Sequence, residues 1–123
     1  MKEIVNPPTL PPPRGFSHAV RAGNTIYLAG QIGTGETFGA QFDHALDDLI
    51  AALTAAGGAP ADLVWLQVFV TDVAEYRESA GQLTPVWRKH FDRHYPAMGL
   101  FGVTALVDPA AKVEVMGIAV IGE

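Results

Sequence analysis

The chain has no cysteine. That excludes disulfides, a thiolate nucleophile and a cysteine-ligated metal, and it fits a reducing compartment. It has no apolar run of the length that spans a bilayer. The opening "MKEIVNPPTLPPPRG" also lacks the apolar core of a signal peptide, so a cytoplasmic protein with no membrane partner is expected. Charge is sparse, at 17%, and basic residues are the scarcer kind: 8 Lys and Arg against 13 Asp and Glu, a net charge of −5. Such a balance opposes a general nucleic-acid surface, because binding to phosphates needs a basic face.

What remains is a globular composition. Of 123 residues, 49% are hydrophobic, enough for one core and one domain. Residues 1–15 read as an extended strap, since their prolines favour polyproline geometry. Residues 16–123 read as the domain. "FSHAVRAGNTIYLAG" reads as two strands around Gly23-Asn24. Phe42, Ala45, Leu46, Leu49, Ile50 and Leu53 recur at helical spacing over 38–56, and Gly57-Gly58 supplies the stop.

"ADLVWLQVFVTD" predicts a strand with Val64, Leu66, Val68 and Val70 on one face. A short turn near 73–80 should follow, then a helix that starts at Thr84-Pro85 and ends near His94. Two last strands, "GLFGVTALV" and "KVEVMGIAVIG", are joined by "DPAA". Read as an antiparallel pair about that turn, they place Met98 opposite Met116. Gly117 and Ala119 are small enough for a helix to approach. The strands near 64–71 and 112–121 are apolar on both faces, whereas two helices cover only one. A second cover is required, and another subunit is the simplest one.

The chemical motifs are weak. His90 and His94 have the i, i+4 spacing of metal ligands, but no third ligand is evident, and cap or surface roles suit them better. "GQIGTGETFG" resembles a dinucleotide loop, but Phe38 stands where the third glycine belongs. Ser17 and His18, as strand neighbours, would point to opposite faces. No metal and no cofactor are implied, and no catalytic residue declares itself.

The ordered set "AGQIG", "AAGG", "DLV", "VFVTD", "YPA" and "VEVMGIAV" resembles the Rid family (reactive intermediate deaminase, also YjgF or endoribonuclease L-PSP), over nearly the whole chain from Phe16. The resemblance implies a chorismate-mutase-like α+β fold with a mixed, mainly antiparallel sheet and two main helices on one face. It also implies a homotrimer with small-molecule clefts between subunits, and hydrolysis of imines or enamines.

In such proteins an arginine after "Pro-Ala" grips the substrate carboxylate, a glutamate on the last strand orients water, and a tyrosine lines the cleft. Carried over, these positions fall on Met98, Met116 and Phe16, with Gly30 and Gln31 retained. The expected lining is therefore Phe16, Gly30, Gln31, Met98, Gly99, Leu100, Phe101 and Met116. Methionine offers neither charge nor donor, so an atypical, more apolar imine is the expected substrate. The alternatives are a non-catalytic ligand-binding or chaperone-like protein and, least favoured by the acidic balance, a ribonuclease.

Overall fold

The computed structural model describes residues 1–122. The last residue of the expected 16–123 domain, Glu123, lies outside them. Six strands form one sheet: β1 (Lys2–Val5), β2 (Ala19–Ala22), β3 (Thr25–Ile32), β4 (Leu63–Val70), β5 (Ala97–Gly102) and β6 (Val113–Val120). Their spatial order is β1-β2-β3-β6-β4-β5. Every pairing is antiparallel except β4 with β5. Three α-helices, α1 (Phe38–Ala55), α2 (Val73–Glu78) and α3 (Ala80–Phe91), complete the fold with a short 3₁₀ turn at Pro60–Asp62. No helix among the described residues is long and apolar enough to cross a membrane.

Local chemistry accounts for the ends of these elements. Gly23, at φ +62°, turns the β2–β3 hairpin, while Asn24 keeps a negative φ. Thr37 caps α1, its side chain accepting from Ala40 N at 3.1 Å. At the other end Gly57 is left-handed (φ +98°), and Gly58 N donates to Leu53 O at 2.9 Å, a Schellman closure. Asp72 caps α2 through Glu75 N.

The core lies between α1 and the inward residues of β3, β4 and β6: Ile26, Leu46, Leu49, Leu53, Leu66, Val68 and Val115 among others. Truncating Leu49, which is completely buried, removes methyl groups that nothing refills. Leu49→Ala should lower unfolding stability by roughly 2–5 kcal/mol, read by denaturant titration. A change under about 1 kcal/mol would mean that the site collapses around the void.

Several expectations are corrected. Residues 2–5 do not merely lie along the surface; they pair with β2 as an edge strand. Val64 is 45% exposed because a register shift between Leu63 and Trp65 resets the alternation, and Leu63 takes the inward place. Gly117 accommodates this irregularity rather than a helix, since a Cβ there would lie 2.5 Å from Trp65 O. The 73–80 segment contains a helix, and α3 begins at Ala80, before Thr84, with Pro85 inside it. Pro85 removes only the bond to the carbonyl of Gly81, an exposed residue whose carbonyl water can satisfy. Helix α3 stops at Phe91, ahead of Asp92 with its positive φ of 52°.

The largest correction concerns the last two strands. They are not a hairpin. β5 pairs parallel with β4 at the sheet edge, and β6 inserts between β3 and β4. Helices α2 and α3 return the chain to the starting end of β4, so the next strand runs parallel to it, as in any βαβ unit. β6, apolar on both faces, takes a central position.

The helices cover one face of the sheet. The other presents Tyr27 and Val120, both exposed, with Ile118, Met116, Phe69 and Phe101. Phe69 and Phe101 stack there at 5.7 Å. The helices leave this face of the sheet uncovered.

Candidate functional site

Among the described residues, two cavities of note lie against the sheet. The first, of about 240 Å³, opens on the helix side between β5 and the helices. Met98 and Leu100 form its floor, because their register partners Leu66 and Val68 point inward. Phe42, Tyr76, Trp87 and Tyr95 form its walls. Trp87 stacks on Tyr95 at 6.1 Å and on Phe91 at 4.4 Å, which fixes the ring planes. Trp87 Nε1 donates to His94 O at 3.1 Å, so its polar edge is satisfied away from the cavity. Among the described residues no charged one lines this space.

The second cavity, of about 280 Å³, lies where the strap meets β3 and β6, and Phe16, His18, Gly30, Gln31 and Glu114 line it. His18 is buried and fully engaged. Its Nε2 donates to Pro11 O at 2.7 Å, which leaves Nδ1 to accept from Gln31 Nε2 at 2.9 Å. That pair of bonds fixes the orientation of the ring. Phe16 packs edge-on against the His18 ring at 5.4 Å.

Glu114 projects toward Gly30. A Cβ at position 30 would collide with its carboxylate, so glycine is what allows the carboxylate to lie there. The register shift between Leu28 and Gln31 falls at the same place. Burial pushes the Glu114 carboxyl above its ordinary range, and among the described residues no cation forms a salt bridge with it.

The eight expected lining residues thus fall in three places. Phe16, Gly30 and Gln31 share the Glu114 cavity. Met98 and Leu100 share the aromatic one. Gly99 and Phe101 lie on the opposite face of β5, with Met116 on the open face of β6 beside Gln67. Met98 and Met116 are therefore not cross-strand neighbours: β4 runs between their strands, and their side chains leave the sheet on opposite faces.

Glu114, the residue that sequence reasoning passed over, supplies a last-strand carboxylate two positions before Met116, beside three of the expected residues. Its signal was legible as the charged start of an otherwise apolar strand. Tyr76, Trp87 and Tyr95 carried no comparable signal, because only the crossover brings them to β5.

The paired histidines separate. His94 Nε2 bonds Leu63 O at 2.7 Å. His90, its side chain only 5% exposed, sits between Asp43 Oδ1 (2.5 Å) and Asp47 Oδ1 (3.5 Å) of α1. Lys89 Nζ also reaches Asp43 at 3.0 Å. The hydrogen bond from His90, together with Lys89, holds the Asp43 carboxyl below its usual range. The donor atoms of Asp43, Asp47 and His90 lie within 4.8 Å of one another. Both ring nitrogens already face carboxylates and a lysine occupies Asp43, so the arrangement works as a clasp between α1 and α3.

Comparison with known proteins places the fold. The family model described as endoribonuclease L-PSP matches residues 8–121. A 2-iminobutanoate/2-iminopropanoate deaminase of Dermatophagoides farinae is 31% identical over 98% of this chain and 97% of its own. A 3-aminoacrylate deaminase, RutC, of Acinetobacter baylyi is 29% identical over 96% of this chain and 97% of its own. The crystal structure of RidA from Psychrobacter sp. PAMC 21119 superposes with a TM-score of 0.85 at 29% identity, covering 97% of this chain and 99% of that one.

Proposed function

Because the chain belongs to the endoribonuclease L-PSP family, also called Rid or YjgF, we propose that it hydrolyses a C=N bond in an imine or enamine that is not held by a carboxylate. The site is a cleft between subunits of a homotrimer, where the aromatic cavity of one copy meets the Glu114 cavity of the next. Support for the assembly comes from the uncovered apolar sheet face and from the scatter of the expected site residues over two separate cavities and the open sheet face of one chain.

The observation that carries the reaction is Glu114, a carboxylate without a cation in a pocket with Gly30 and Gln31. Ionised, it can accept a proton from water as that water adds to the C=N carbon, the role of a general base. Backbone groups beside Gly30 orient the substrate. Met98, by its position after Pro96-Ala97, stands where the resemblance puts the carboxylate-gripping arginine, and an apolar end of the site follows from that reading. The acidic balance of the chain weighs against RNA as substrate, despite the family's name.

The second reading, a ligand-binding protein without catalysis, is favoured by the absence of any charged group around the aromatic cavity. An imine panel separates the two. Met98→Arg should raise turnover of a carboxylate-bearing imine such as 2-iminopropanoate by roughly ten- to a hundredfold, the worth of one charge-assisted contact. The 44% exposure of Met98 should let the new guanidinium stay solvated without loss of fold. No gain from this substitution would mean that Met98 does not face the substrate.

A further inference from the structure

Charge around the two cavities has one sign. Besides Glu114, the second cavity is lined by Asp48 and Asp108, and by no lysine or arginine. Asp48 lies 3.4 Å from His44 Nε2 on its own helix, and Asp108 Oδ1 accepts from Ala110 N in an exposed turn. His18, the histidine in the wall, already spends both ring nitrogens on hydrogen bonds to Pro11 O and Gln31 Nε2. Arg14 of the strap is exposed and does not line the cavity. The aromatic cavity adds no cation.

A substrate carboxylate entering this site would meet three carboxylates, offset among the described residues by no lysine or arginine and only at Asp48 by a neighbouring imidazole, His44. A cation would be attracted to the same groups and could face aromatic rings as well. We infer that the substrate is a cationic aldiminium, R–CH=NH₂⁺, made from a primary amine that carries no carboxylate, with R a flat or branched apolar group seated among Tyr76, Trp87 and Met98. The inference rests on the hydrolytic reading above and specifies its substrate class.

Water adds to the aldiminium carbon as Glu114 takes one of its protons. That proton passes to the nitrogen, the carbinolamine hydroxyl gives up its own proton as the C=O bond forms and the C–N bond breaks, the departing ammonia takes that second proton, and the balance is R–CH=NH₂⁺ + H₂O → R–CHO + NH₄⁺. The supplying reaction is the two-electron oxidation of a primary amine by a separate enzyme with its own acceptor. The consuming reaction oxidises or reduces the aldehyde.

The test uses the full chain and two imines with the same ring. One is generated from phenethylamine by an amine oxidase, the other from phenylalanine by an amino-acid oxidase, and surviving imine is trapped with semicarbazide. Acceleration of the amine-derived imine should exceed that of the carboxylated one at least tenfold. In parallel, calorimetry should show phenethylammonium binding at least tenfold tighter than 3-phenylpropanoate. Glu114→Gln should weaken phenethylammonium and leave the neutral 2-phenylethanol unchanged.

Preference for the phenylalanine-derived imine overturns the inference while hydrolysis stands. If Arg14→Ala abolishes that preference, the carboxylate clamp has moved to the strap. Tight phenethylammonium binding with no acceleration of either imine supports the charge preference and overturns the hydrolytic reading. Failure to bind phenethylammonium overturns the inference whatever the rates.

Discussion

Glu114→Gln is expected to lower the imine-hydrolysing rate by on the order of 10²- to 10⁴-fold, the usual worth of a positioned general base, without unfolding the protein. Glutamine keeps the shape of the side chain and still fits beside Gly30, but it cannot accept water's proton. Burial raises the pKa of Glu114, so the parent's rate should fall, as pH is lowered, at a higher pH than an ordinary carboxylate would produce. Stability carries the opposite sign. A carboxyl whose folded-state pKa lies above its unfolded value contributes stability that is complete below the unfolded pKa. That stability is lost as pH rises through the folded pKa. At neutral pH the ionised Glu114 is therefore a cost, and Glu114→Gln should melt no lower than the parent. The margin should close in acid. Rates measured across pH with calorimetric melting provide both readouts. A Gln variant with the parent's rate would remove Glu114 from the chemistry.

Ile118→Lys should dissolve the proposed trimer. Ile118 sits in the middle of the uncovered face, its register partners being Tyr27 on β3 and Trp65 on β4. A charge buried there without a partner costs several kcal/mol, and the copies would add mutual repulsion. Light scattering should then fall from about three times the 13.1 kDa chain mass to that of a single chain. Circular dichroism should stay native, because the Leu46–Leu49–Val115 core lies on the other face. Activity should drop by more than about a hundredfold, since a cleft that spans subunits is lost with the assembly and takes its bound geometry with it. A folded monomer with full activity would place the whole site within one chain. A parent protein that is already monomeric would overturn the assembly outright.

Particular residues show what could be read in advance. The helical period of Phe42 to Leu53, the glycines that close α1 and the alternation in β6 are local signals, each written within one or two turns of chain. The resemblance to Rid proteins, carried by short motifs in order, placed Phe16, Gly30 and Gln31 near one another, and one cavity contains all three. Met116 does not line that cavity, whereas Glu114 does. By register Met116 lies opposite the irregularity in β3, and sequence order alone does not show that the Glu114 side chain, paired with Ile32, reaches back to Gly30.

The sequence by itself determined the α+β composition, the long amphipathic helix, the two-faced apolar strands that demand a second cover, and an acidic chain without cysteine chemistry. These follow from residue type and period, which act over a few neighbours. Only the tertiary structure decided that β6 enters between β3 and β4, that β5 lies parallel at the edge, and that Met98 looks toward Trp87 while Met116 looks away. Those facts depend on which strand bonds to which. That choice is made by the crossover through α2 and α3 and by the burial of β6 on both sides, not by any short stretch of the chain.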